Sequence, residues 1–258
     1  MTSKDGKTRD PQRSLKLLWS GQRQGQRGPR AQLSVERIAQ AAIRIADTDG
    51  LEALSMQRIA ADLGYSTMSL YNHIPSKELL LEVAADIGAG VPPDLDGTEE
   101  LRPAVRAWVA ALWNGLRQRP WMLRVPLDNA SMGPHQLAWL ERLLRPLLAA
   151  GLPGGEARVA ALHLTAVVRG TAQISLNMTG AEDTADGIPR NAADAAQTVA
   201  EFIDPEDYPA VTAVYAAEDP HPDRERPDQD ALPFELSFGV DRFLDGIESW
   251  VAASQRPS

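Results

Sequence analysis

Apolar residues recur at helical spacing through most of the chain, and the runs break at Gly, Pro and hydroxyl residues. Val35, Ile38, Ala39, Ala42, Ile43 and Ala46 share one face of a helix predicted over 34–49, and Gly50 follows its end. Met56, Ile59, Ala60 and Leu63 repeat the pattern behind Ser55, a good N-cap, until Gly64 supplies a turn. A short helix then opens near Ser66 or Thr67 and stops at Ile74, because Pro75 disfavours helical geometry in the residue before it. Ser76 caps a fourth helix, 76–88, with Leu79, Leu80, Val83 and Ala84. Past the linker VPPDLDGTEE, a helix over about 99–119 carries Leu101, Val105, Trp108, Val109, Leu112, Trp113 and Leu116 on a broad apolar face, with Pro103 in its first turn. A short apolar WMLRV piece and a polar loop from Asp128 to Pro134 lead to a helix ending near Ala150, in which Pro146 predicts a kink. Helices over 155–178, 191–203, 207–217 and 234–253 complete the pattern. The 155–178 helix is apolar most of the way round and must be covered on several sides. No strand is predicted, so the fold class is all-α: a three-helix helix-turn-helix unit followed by a larger helical body.

The helix after Gly64 has about two turns, too few for a good core element, and its outer face offers hydroxyl, amide and imidazole groups. Such groups suit phosphates and base edges, and the pair of helices resembles a helix-turn-helix, whose second helix lies in the DNA major groove. With its flanks, the run LSVERIAQAAIRIADTDGLEALSMQRIAADLGYSTMSLYNHIPSKELLLEVAAD resembles the DNA-binding domain of the TetR/AcrR family of bacterial transcriptional regulators, TMSLYNHIPSK being the specific part. The resemblance implies that Thr67, Ser69, Tyr71, Asn72, His73 and Lys77 meet DNA, with Gln57 and Arg58 reaching from the preceding helix. Asn72 stands where family members often carry Tyr or Trp, and Thr67-Met68 replaces a more polar pair; both departures bear on which operator is read. Further on, GPHQLAWLERLL, RGTAQ and FELSFGVDRFLDGIE resemble the tetracycline-repressor-type C-terminal domain. That likeness implies a homodimer, in which helices 155–178 and 234–253 of each chain form a four-helix bundle, and a ligand cavity in each body.

Net charge, −9, taken whole argues against a nucleic-acid partner, but its distribution reverses the argument. Residues 1–30 hold eight Lys and Arg against two Asp, and residues 78–258 carry −14. A basic end on an acidic body has one place to meet phosphate. The expected organisation is a basic, mostly flexible arm over 1–32, the DNA-binding domain over 33–90, and the ligand-binding and dimerisation domain over 97–254. Within the arm, SLKLLWS, with Leu15, Leu17, Leu18 and Trp19, has the makings of a short helical turn that docks on something. The rest reads either as a solvated tail or as an arm reaching the backbone or minor groove. There is no cysteine, hence no disulfide or thiolate chemistry. No apolar run near 20 residues and no signal-type h-region are read from the chain, so no membrane partner and a cytoplasmic location are expected.

The four histidines, His73, His135, His163 and His221, have no metal-binding spacing, and GxSxG, Walker and Rossmann patterns are lacking. Neither catalysis, metal nor cofactor is therefore expected. For a cavity wall the candidates are Trp108, Trp113, Trp121 and Met122, with His163, Arg169, Gln173 and Asn177 as polar groups on the apolar 155–178 helix; for each, a place in the core or at a seam is the alternative. Such a wall suits a small, mostly apolar molecule. The functional expectation is a repressor released from a palindromic operator by that molecule; the alternatives are a DNA-binding regulator without small-molecule input and, remotely, an enzyme.

Overall fold

The computed structural model describes residues 11–19, 33–95, 100–126, 132–179, 202–216 and 232–254. Its helices are α1 (Pro11–Leu18), α2 (Val35–Asp49), α3 (Met56–Leu63), α4 (Thr67–His73), α5 (Lys77–Ala89), α6 (Leu101–Gln118), α7 (Pro134–Ala149), α8 (Gly154–Thr179), α9 (Pro209–Ala216) and α10 (Phe234–Ser254), and no strand occurs among the described residues. A 3-10 turn, Pro120–Arg124, occupies the WMLRV piece. The helix expected over 191–203 falls almost wholly outside the described residues.

Four helix starts share one device: the side chains of Ser34, Ser55, Ser66 and Ser76 accept hydrogen bonds from the backbone N–H groups of Arg37, Arg58, Ser69 and Leu79. Gly64 closes α3 in the left-handed conformation, φ 75°, which glycine adopts without a Cβ penalty. Ile38, Ala42, Ile59, Leu70, Ile74 and Leu80 meet in a core that holds α2 to α5 together. Part of the basic N-terminal segment is ordered against this core, unlike a freely flexible arm: α1 packs on α5, burying Leu18 and Ser14.

A second core joins α6, α7, α8 and α10 through Trp108, Val109, Leu116, Leu143, Leu147, Leu164, Val168, Leu236 and Leu244. Pro146 does not end α7, since it falls in the last turn, where its missing N–H removes a single ladder bond. Arg102 ties α6 to α10 through Asp241, Asp245 and Glu248, and its pKa is raised by the hydrogen bonds to Glu248 and Asp245. By length and composition Gly154–Leu176, with mean hydropathy 1.2, is long and apolar enough to cross a membrane, which corrects the sequence expectation. In the fold it is the central helix of the body, with Ala157, Ala161, Leu164 and Val168 buried against α6, α7 and α10.

Candidate DNA face and ligand cavity

Gln57, Arg58, Tyr71, Asn72 and His73 are exposed, and Thr67, Ser69 and Lys77 half-exposed, along α3, α4 and the start of α5. Leu70 and Ile74 point the opposite side of α4 into the core, fixing which face is offered. Two of these residues are already engaged: Arg58 pairs with Asp49 at 2.5 Å, and Ser69 Oγ lies 2.8 Å from Ser66 Oγ. The Arg58 pair is exposed, worth about 0–1 kcal/mol, and yields readily to a phosphate. Met68 was not among the sequence candidates, yet it stands 71% exposed on this face. Its apolar end suits a thymine methyl. An exposed methionine inside a polar helix was the signal for it.

Behind the DNA-reading unit lies a cavity of about 630 Å³. One wall is the end of α5 (Ala85, Gly88, Ala89, Gly90); the others come from α6, the 3-10 turn, the start of α7, and α8. Trp108, Met122 and Arg169 line it. Four of the other sequence candidates do not. Trp113 is buried in the body core. Trp121 plugs the DNA-binding core instead, its indole donating to Asp47 Oδ1 at 2.6 Å and its ring 3.3 Å from where a Cβ on Gly88 would sit. His163 is exposed and stacks on Phe243, centroids 4.6 Å apart, and Gln173 is exposed on α8 away from the wall. The Asn177 side chain lies outside the described residues.

Trp139, Leu140, Met132, Asn114, Gln118, Gln136, Thr165, Arg119 and Arg158 also line the cavity. The Trp139 ring meets Trp108 edge to face at 5.8 Å, and its indole donates to the carbonyls of Ala89 and Gly90 at the end of α5. Arg169 Nη2 donates to the carbonyls of Met122, Leu123 and Val125 at 3.2–3.4 Å, and burial pushes its pKa down.

Several ties bind the end of α5 and α2 to the body around this cavity. Arg119 pairs with Asp47 at 3.1 Å and donates to the Gly88 carbonyl at 2.9 Å. Arg124 pairs with Glu52, which lowers the carboxyl pKa. Trp19, beyond α1, donates to the carbonyl of Met132 at 3.2 Å. Asp86 of α5, 1% exposed, accepts from the backbone N–H groups of His135 and Gln136 and from His135 Nδ1. Those N–H groups belong to the first turn of α7, whose N-cap position is Gly133 with no side chain to offer. Asp86 therefore caps a helix of the body from the last helix of the DNA-reading unit, and negative charge at that helix end is favourable.

A helix-turn-helix with an exposed second helix, joined through one shared helix to a body with a cavity, defines a DNA-binding regulator of the one-component type. The chain belongs to the TetR family. The family model "Bacterial regulatory proteins, tetR family" matches residues 38–84. The HTH-type transcriptional repressor DrrR1 of Streptomyces coeruleorubidus is 33% identical over 255 residues, spanning 94% of this chain and 87% of that one. An HTH-type transcriptional regulator of Saccharopolyspora erythraea is 32% identical over 120 residues, 46% of this chain and 51% of its own. The fold is shared with ActR of Streptomyces coelicolor in complex with actinorhodin (TM-score 0.66, 22% identity, covering 86% of this chain and 99% of that one). It is also shared with BioQ crystallised with its double-stranded DNA operator (TM-score 0.53, 20% identity, 84% and 99%).

Proposed function

We propose that the protein is a cytoplasmic, dimeric repressor that sits on a palindromic operator and leaves it when a small, mostly apolar molecule fills the cavity. The observation that carries the reading is the cavity wall made by the end of α5, the helix that closes the DNA-reading unit. Two α4 helices in a dimer enter successive major grooves only when about 34–36 Å apart. A ligand against Ala85, Gly88 and Ala89 displaces α5 and spoils that spacing, provided it binds the displaced state better. A coupling of about 1–3 kcal/mol weakens operator binding by roughly 5 to 150-fold.

Gln57, Arg58, Thr67, Ser69, Tyr71, Asn72, His73 and Lys77, with Met68 added, form the DNA face in this reading. The dimer seam is the outer side of α8 and α10, where Val159, Ile174, Phe238 and Trp250 stay exposed in the single chain. Leaving these large apolar side chains to water is costly, and a symmetric copy is their simplest cover. The repressor DrrR1 and the ligand-bound ActR support the same reading. The experiment is a pair of titrations of a cavity-binding compound, with and without operator DNA; linkage demands equal and opposite effects on the two affinities. A compound that binds equally well in both would leave a DNA-binding regulator without small-molecule input.

A further inference from the structure

We propose that the cavity's ligand carries an acidic group, a carboxylate or ionised hydroxyl on an aromatic skeleton, which docks on Arg169 with Arg158 at the rim. This rests on the cavity being the effector site and names the class of molecule it takes. Residues 78–258 carry a net −14, yet no Asp or Glu is among the described residues that line the cavity, while Arg119, Arg158 and Arg169 are. Arg119 is spent on Asp47 and the Gly88 carbonyl. Arg158 and Arg169 have no carboxylate partner among the described residues.

Arg169 is the decisive one. Three carbonyls share its Nη2 at long distances, and its Nη1 and Nε make no hydrogen bond within the described residues. A half-buried guanidinium held only by neutral acceptors bears an uncompensated desolvation cost, which an anion offsets through a paired, charge-assisted contact. A cationic ligand would meet like charge and find no carboxylate among the described lining residues. The aromatic part follows from Trp108 and Trp139, edge to face on the same wall.

The test uses three matched probes: anthracene-2-carboxylate, its neutral carboxamide, and 2-(aminomethyl)anthracene, titrated calorimetrically into the full-length protein at neutral pH. The acid should bind about 10 to 100-fold tighter than the amide, as one charged hydrogen-bonded pair implies, and the ammonium weakest. Arg169→Met should bring the acid's affinity down to the amide's in the same variant, while Arg169→Lys should retain part of the acid's advantage. If Arg169→Met fails to fold, Arg158→Gln, an exposed change, should cut the advantage by up to about fivefold. Acid and amide binding alike to the wild type, or an advantage that survives both arginine changes, overturns the inference and leaves the cavity as an effector site. No binding by any probe overturns both. An acid preference without any effect on operator affinity upholds the inference and sinks the induction reading instead.

Discussion

Gly133→Ala tests whether the two halves of the molecule are locked by the Asp86 cap. The backbone there, φ −79° and ψ 174°, suits any residue, so the change carries no conformational strain. Its cost is collision: the new Cβ would lie 2.2 Å from Asp86 Cγ and 2.3–2.5 Å from the carboxylate oxygens. Asp86 is buried and short, so it must abandon the N–H groups of His135 and Gln136. Losing a helix cap costs about 0.5–2 kcal/mol, and overpacking adds about 1–3 kcal/mol, together roughly 1.5–5 kcal/mol, with about 2–4 kcal/mol the middle of that range. In a chain of this size that lowers Tm by roughly 5–15 °C, measured by calorimetry or circular dichroism. Asp86→Ala alone should cost about 2–4 kcal/mol, because the N–H groups are left unpaired. The double variant should be no worse than Asp86→Ala, since the added methyl then meets space. Additive losses, or a Gly133→Ala protein as stable as the wild type, would refute the cap.

Lys77→Ala should weaken binding to every DNA sequence alike and reduce the slope of log affinity against log salt by about 1, read by anisotropy at several salt concentrations. Val159→Asp or Phe238→Asp should give folded monomers in sedimentation; Leu244→Asp should instead unfold the chain, because Leu244 is buried in its own core. Trp121→Phe keeps an aromatic side chain but is smaller than the indole and lacks the donor to Asp47, and should cost about 1.5–3 kcal/mol or more in urea unfolding. A wild-type midpoint for that variant would mean that Asp47 is served by Arg119 alone.

The DNA-reading unit was legible because its signals are local. Ser34, Ser55, Ser66 and Ser76 each announce a helix three residues ahead of the N–H they cap, and Gly64 and Pro75 bound a helix too short to mistake. The cavity was less legible because its wall is chosen by packing between distant segments. Trp108 and Trp113 share a broad apolar stripe and both reach the body core, but five residues turn them about 140° apart on α6, so only Trp108 also lines the cavity. Trp121 follows the body's first helix in sequence and packs in the other domain's core. Nothing in the pattern of α7 separates Trp139 from an ordinary core tryptophan. Which side of α10 turns outward is likewise set by packing: Leu244 is buried in the chain's own core, while Phe238 and Trp250 are exposed.

The bonds around the cavity also share a chemical habit. Arg119, Trp139, Arg169 and Trp19 all donate to main-chain carbonyls, at Gly88, at Ala89 and Gly90, at Met122, Leu123 and Val125, and at Met132. A carbonyl is present whatever side chain its residue bears. Ala89, Met122, Val125 and Met132, which face the ligand space, can therefore be exchanged for other residues while the acceptors they present to the frame persist. Ligand preference and mechanical linkage are thus written in separate parts of the same residues, which lets such a receptor drift toward a new effector without first losing its grip on the DNA-reading head.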